Sequence, residues 1–334
     1  MIQKQAVPDS RIIDSLVNDY KFNVDTLLLL PIGADADALV YRARLRDGSE
    51  YFVKLKRGHE HDVSVTIARL LYDSGIKQII PPIMTVHGQP IQKVGDFTLI
   101  VYPFIEGKDG LTRPLGEDHW ATLGKVLRRV HDFKLPEPIQ KQVRRETYSP
   151  KWREAVRSLL LQIETDFDGD ESALKLAEFM TAQRTRIHHL VDQSEHLARE
   201  MSKRSPTFVL CHSDIHGGNV LIDSSDRLYV VDWDEPIMAP KERDLMFIGG
   251  GVGNVWNKPA EEESFYGGYG QTDVDTLALA YYRHERIVED IALYGHDLLR
   301  TTDGGEDRPE MLNQMVAMFD TNGAVDMACK TDRG

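Results

Sequence analysis

Apolar and polar positions along the chain change texture near residue 103. Residues 8–20 place Ile12, Ile13, Leu16 and Val17 at helical spacing, with Asp9 or Ser10 available as a cap. Three strand-like runs follow, over 27–32, 39–45 and 51–56, and Arg46-Asp47-Gly48-Ser49 predicts a hairpin turn between the last two. Val63, Ile67, Leu70 and Leu71 then share one face of a helix over 62–72, which Asp73-Ser74-Gly75 stops. Runs at 83–86 and 97–102 predict two more strands.

After Pro103 the pattern becomes helical, over 118–132, over 151–164 behind Ser149-Pro150, and along a polar stretch over 174–201. Short apolar strands at 208–211, 220–222 and 228–233 interrupt it, and helices with glycine-rich breaks resume from Lys241. The tail after Arg300 is polar and is expected to fray. The pattern is that of an α+β protein. A β-rich lobe over 1–104, with a five-stranded antiparallel sheet and one important helix, joins a mainly helical lobe over 105–334 through a short hinge.

Composition narrows the functional classes. A chain of 334 residues has room for two cores, and 41% apolar with 28% charged residues is ordinary for a globular protein. No run approaches the roughly 20 apolar residues that span a bilayer, and the first residues lack the basic-then-apolar pattern of a signal peptide. Cys211 and Cys329 are far apart and form no metal-spaced pair, so a reducing cytoplasm is the simplest compartment. A net charge of −13 argues against a nucleic-acid backbone as partner; it suits a cationic small molecule and equally serves solubility.

The chemistry concentrates in Cys211-His212-Ser213-Asp214-Ile215-His216-Gly217-Gly218-Asn219-Val220-Leu221, a polar loop between two apolar strands. Tyr229-Val230-Val231-Asp232-Trp233-Asp234 follows. Phosphoryl transfer asks a protein for positioning and charge neutralisation: one aspartate to orient the attacking hydroxyl, an asparagine and a second aspartate to hold Mg²⁺ against the phosphates. Asp-x-x-x-x-Asn followed by a strand ending in Asp supplies that set.

His212-x-Asp214-x-x-x-x-Asn219 with Val230-Val231-Asp232 resembles the catalytic and metal loops of the aminoglycoside phosphotransferase and choline kinase family. Longer segments point to the branch that acts on spectinomycin: Tyr51-Phe52-Val53-Lys54-Leu55-Lys56, Tyr148-Ser149-Pro150-Lys151-Trp152-Arg153-Glu154, Asp232-Trp233-Asp234-Glu235-Pro236, and Tyr282-Arg283-His284-Glu285-Arg286 with its continuation to Ile291. The resemblance implies a bilobal protein-kinase-like fold, with ATP and Mg²⁺ as cofactors. By motif position, Asp214 would be the catalytic base, Asn219 and Asp232 the magnesium ligands, and His212 a brace for the loop.

The same comparison favours Lys54 as the phosphate-binding lysine, although Lys56 shares its strand face. Asp62 or Glu60 would hold it, and either could instead cap the helix; Asp62 is preferred. Gly33 in Pro31-Ile32-Gly33-Ala34 would let backbone approach phosphate, with one glycine where protein kinases have three. Adenine would meet the hinge at Tyr102, Pro103 and Ile105. For the acceptor, Tyr282, Glu285 and Glu289 recur at helical spacing, Asp290 lies just off their face, and Trp256, Tyr266, Tyr269 and Tyr281 are near in sequence, a set suited to a cationic aminocyclitol. Asp244 reads as an anchor beneath the catalytic loop, and the glycines from Gly249, following no strand, as a substrate-side loop. The implied activity is ATP-dependent O-phosphorylation of spectinomycin or a related aminocyclitol. Alternatives are a kinase of a small metabolic alcohol such as choline or methylthioribose, and a nucleotide-binding pseudokinase, against which the intact Lys54, Asp214, Asn219 and Asp232 speak.

Overall fold

A computed structural model of the chain describes residues 7–30, 38–58, 62–164, 168–249, 256–300 and 307–331. In chain order it runs α1 (Asp9–Tyr20), β1 (Val24–Leu30), β2 (Ala38–Leu45), β3 (Glu50–Arg57), α2 (Asp62–Asp73), β4 (Gln92–Val94), β5 (Phe97–Pro103), β6 (Gly107–Asp109) and α3 (Glu117–Asp132). Next come α4 (Glu137–Gln140), β7 (Arg144–Arg145), α5 (Lys151–Gln162), α6 (Glu171–Ala182), α7 (Arg184–Ser202), β8 (Val209–Cys211), β9 (Val220–Asp223), β10 (Leu228–Val230) and β11 (Ile237–Ala239). The chain ends with α8 (Glu242–Leu245), α9 (Pro259–Tyr269), α10 (Thr276–Leu299), α11 (Arg308–Ala317) and α12 (Ala324–Thr331). This is an α+β fold, β-rich toward the N-terminus and helical toward the C-terminus. No helix among the described residues is long and apolar enough to cross a membrane.

Two compact units share the chain, one built from Met1–Leu115, Phe133–Val143 and Gly217–Pro236, the other from Gly116–Asp132, Arg144–His216 and Ile237–Gly334. In the first, five strands pair antiparallel in the order β1-β2-β3-β5-β4. Period-two alternation buries Tyr41, Ala43, Val53, Leu55, Leu99 and Val101 on one face, where Ile12 and Leu16 of α1 complete the core. The intervening positions Lys54 and Lys56 necessarily point to the other face, Lys54 standing opposite Val40 on one side and Ile100 on the other. The hairpin closes as expected: Gly48 takes φ +86° and the Asp47 carboxylate accepts the Ser49 N–H at 2.9 Å. Gly75, at φ +97°, likewise ends α2.

Two local readings are revised in this unit. Pro8 occupies the α1 cap and no side chain caps the helix, so neither Asp9 nor Ser10 serves there. Residues 83–86 are irregular, and the edge strand is Gln92–Val94. Pro81-Pro82 carries no N–H to enter a ladder, and only the Ile83 N–H reaches β5, at Val101 O (2.7 Å). A second sheet, β10-β9-β6, follows in the same unit.

In the second unit α10 runs through a core formed by α5, α6, α7, α11 and α12, including Leu159, Leu176, Leu190, Ile291, Met315 and Val325. The stretch 174–201 is two helices broken at Gln183, where no glycine or proline marks the break. The tail does not fray at 308–331: Leu312, Met315, Phe319 and Val325 are buried. α3 and α9 approach closely because both are small at the crossing. A Cβ on Gly124 would stand 2.1 Å from Phe265 O, and one on Gly268 would stand 1.9 Å from Ala121 O. The third sheet, β7-β11-β8, leads into the loop that carries Asp214.

Candidate active site

The first unit gathers one cluster of charge. Strand β3 projects Lys54 Nζ to 3.1 Å from Asp232 Oδ1 and 2.7 Å from Asp234 Oδ2, while Lys56 Nζ lies 2.6 Å from Asp234 Oδ2. Burial works against the Lys54 charge, but Asp232 and Asp234 outweigh it and hold its pKa above the ordinary lysine value. Asp234 is penalised by the same burial, yet the two ammonium groups draw its pKa down to about 2. Asp232 is the open member, its side chain 45% exposed. It sits at φ +60°, a left-handed conformation uncommon for a non-glycine residue.

Asn219 is buried at the end of a 3₁₀ turn, Gly217–Asn219, and its carbonyl accepts the N–H of Val231 at 3.0 Å. That bond ties the backbone beside Asp232 to the backbone of Asn219. The turn itself rests on Gly110, whose N–H is shared by Gly217 O and Val220 O, each at 2.9 Å. A side chain on Gly217 would crowd Leu111, its Cβ falling 2.8 Å from Leu111 Cδ2. At the expected hinge, Tyr102 and Pro103 end β5 opposite Phe52 and Tyr51. Phe104 N–H donates to Glu50 O (3.1 Å), and half-buried Ile105 follows beyond the ladder. Gly33, Glu60 and the Asp62 side chain lie outside the described residues. Among those described, the acids on Lys54 are Asp232 and Asp234.

The second unit gathers another cluster around Asp214. Its Oδ1 accepts from Arg286 Nη1 at 2.6 Å, and its Oδ2 faces His216 Nε2 at 3.5 Å. Burial raises the pKa of this carboxyl, but His216 and Arg286 together carry it well below the usual carboxylate range. Arg286 Nε also reaches Asp290 Oδ1 at 2.9 Å. Beneath the loop, Asp244 is fully buried. Its oxygens accept the backbone N–H of His212 (2.9 Å) and Ser213 (2.7 Å) and Nε2–H of His131 (3.0 Å). His131 Nδ1 is then left to accept from the Tyr269 hydroxyl at 2.7 Å. His212 Nδ1 accepts the Asp214 N–H (3.3 Å), a bracing contact.

The three α10 residues expected at the acceptor separate. Tyr282 is fully buried, its hydroxyl without a partner among the described residues. Glu285 is buried against Arg153 and the Ser194 hydroxyl, an ion pair that ties α5 and α7 to α10. Glu289 is partly buried, its side chain 19% exposed and its carboxylate 3.9 Å from Arg243. Sequence reasoning gave no role to Asp234 or Arg286 and placed Asp290 only at the edge of the acceptor set. The available signals were the second aspartate of Asp232-Trp233-Asp234 and the i, i+4 spacing of Arg286 and Asp290.

Comparisons with known proteins agree with this chemistry. A spectinomycin phosphotransferase, APH(9)-Ia, solved in complex with ADP and spectinomycin, is 47% identical over 97% of this chain and 98% of its own, with a TM-score of 0.90. The AMP-bound complex of the same enzyme is 46% identical over 97% and 98%, at a TM-score of 0.86. Protein StrN of Streptomyces griseus is 24% identical over 185 residues, 53% of this chain and 56% of that protein, so the likeness spans little more than half of its length. Residues 29–280 match the model of the phosphotransferase enzyme family. That match covers well over half of the sequence, and the chain belongs to the phosphotransferase enzyme family.

Proposed function

We propose that the protein transfers the γ-phosphate of ATP to a hydroxyl of spectinomycin or a closely related aminocyclitol. The observation that carries this reading is the 47% identity, sustained over 97% of the chain, to an enzyme solved with ADP and spectinomycin. An enzyme that consumes ATP and meets an antibiotic aimed at its host would work in the cytoplasm.

Within this reading Lys54, a cation held between two carboxylates, binds the nucleotide phosphates as a point charge. The Asn219 amide and the half-open Asp232 carboxylate are hard oxygen donors of the kind Mg²⁺ prefers, and the Val231–Asn219 hydrogen bond keeps their backbones in register. Magnesium bound there would neutralise charge on the phosphate oxygens. Asp214, kept ionised by His216 and Arg286, orients the acceptor hydroxyl and takes its proton as the oxygen bonds to phosphorus and ADP departs. Glu289 and the excess negative charge of the chain attract a substrate bearing methylamino groups, whereas Tyr282 and Glu285 support α10 from inside.

The test is incubation of the purified protein with ATP, Mg²⁺ and a panel holding spectinomycin, choline and methylthioribose, read by mass spectrometry. Spectinomycin monophosphate at the highest catalytic efficiency supports the reading. Absence of that product, or preference for another acceptor, overturns it.

A further inference from the structure

The row Asp214–Arg286–Asp290 deepens the proposed reaction and rests on it. We propose that Arg286 is the positioning residue for Asp214: Asp290, one turn further along α10, fixes one edge of its guanidinium so that the other edge sets the direction of the Asp214 carboxylate.

Three observations carry this. First, Arg286 is gripped at two different nitrogens, Nη1 by Asp214 at 2.6 Å and Nε by Asp290 at 2.9 Å, with its Cζ 5.8 Å from the centre of the Phe247 ring. A planar guanidinium held at two edges cannot turn without breaking one bond, which is how arginine differs from lysine. Second, Arg286 and Asp290 are each 17% exposed while Asp214 is 37% exposed, so the buried part of the row ends on an accessible carboxylate. Third, the loop backbone does not need Arg286, because Asp244 already holds the N–H groups of His212 and Ser213. The contact therefore acts on the Asp214 side chain itself, fixing Oδ1 on Arg286 while Oδ2 faces His216.

The charges around the row favour the same assignment. Asp214 meets His216 from its own loop and Arg286 from α10; Arg286 meets Asp214, Asp290 and Glu289, and Glu289 in turn meets Arg243 of α8. Tyr294 of α10 and Glu310 of α11 lie near this row. With three carboxylates near one guanidinium, Arg286 remains charged throughout the working range, its pKa held above the ordinary arginine value despite burial.

Arg286→Met, Arg286→Lys and Asp290→Asn separate the roles, with retained circular dichroism as the check on folding. For phosphorylation of spectinomycin, Arg286→Met is expected to lower kcat about 10²-fold with KM for ATP within about twofold, and Arg286→Lys to restore only part of it. Asp290→Asn, which keeps the arginine charge and replaces a charge-assisted bond at one edge by a weaker neutral one, is expected to lower kcat several-fold. In parallel, carboxyl ¹³C NMR of aspartate-labelled protein, with the Asp214 signal assigned by Asp214→Asn, follows Asp214 without substrate. Its midpoint should rise by about one pH unit or more in Arg286→Met and should not rise in Asp290→Asn. An unmoved midpoint, or full activity in Arg286→Met, overturns the inference. A wild-type protein that fails to phosphorylate spectinomycin overturns the proposed substrate instead, and the NMR arm then still decides whether Arg286 governs Asp214.

Discussion

The Asp244 carboxylate accepts the Ser213 N–H at 2.7 Å, and Ser213 sits in the left-handed region at φ +77°. The residue before Asp214 is thus held in a conformation it would not choose alone, by a buried acid 31 positions away. Removing that acid leaves two backbone N–H groups and His131 without their partner inside the protein. Asp244→Ala is therefore expected to destabilise the fold by about 3–5 kcal/mol, read by urea unfolding. Loss of under about 1 kcal/mol would show that water or rearrangement replaces the carboxylate.

Asp214 is the group toward which this bracing is directed. Asp214→Ala should lower turnover by at least about 10²-fold while nucleotide binding, followed by calorimetry with ATP, survives. Equal turnover in the variant would refute its assignment as base.

Lys54 and Lys56 are distinguished by what they hold. Lys54 reaches both Asp232 and Asp234, and Lys56 meets Asp234. Lys54→Met should reduce kcat/KM for ATP by about 10²-fold or more, as loss of a charge-stabilising donor does. Lys56→Met should reduce it by less than about tenfold. Steady-state kinetics with varied ATP tests the pair, and a reversed order would transfer the phosphate-binding role to Lys56.

Much of this architecture is legible in residues alone, and its failures have physical causes. The strands β2, β3 and β5 declare themselves because one buried face forces a period of two, and that same period puts Lys54 on the other face of β3 from Val53 and Leu55. The Asp214, Asn219 and Asp232 loops stand out because short apolar strands bracket polar residues. The acceptor helix is harder, since α10 is packed on most of its circumference and burial there does not follow polarity. Glu285 reads as a surface acid until Arg153, 132 positions earlier, is seen to neutralise it. Arg286 and Asp290, only one position on from Glu285 and Glu289, lie on the side that meets the Asp214 loop. The break at Gln183 and the packed tail depend on tertiary contacts that no local pattern encodes.

The buried pair between α5 and α10 gives a contrasting prediction. Glu285→Ala strands the Arg153 guanidinium and the Ser194 hydroxyl among buried groups, so stability should fall by about 3–5 kcal/mol. The KM for the aminocyclitol should remain within about threefold in the folded fraction. A large KM change at unaltered stability would return Glu285 to the substrate surface.

Asp290 links positioning to the pH dependence of stability. Burial lifts its carboxyl, and Glu289 and Asp214 add to the lift, so that even beside Arg286 its pKa stands at about 6 against an ordinary 3.8. An acid whose pKa is raised on folding binds its proton more tightly in the native state. Its favourable contribution is therefore complete below pH 3.8 and is lost as pH rises to about 6. A shift of this size corresponds to about 3 kcal/mol, borne by the native protein at neutral pH. Asp290→Asn removes the titration while Arg286 keeps Asp214. The variant should be more stable than the parent by about 1–3 kcal/mol at pH 7, with the advantage shrinking toward pH 4.5, even as turnover falls. Urea unfolding at the two pH values checks the sign: parallel losses for both proteins would mean that Asp290 does not titrate in this window. A stability gain coupled to a loss of turnover is the signature expected of a charge retained for the direction it gives its neighbour.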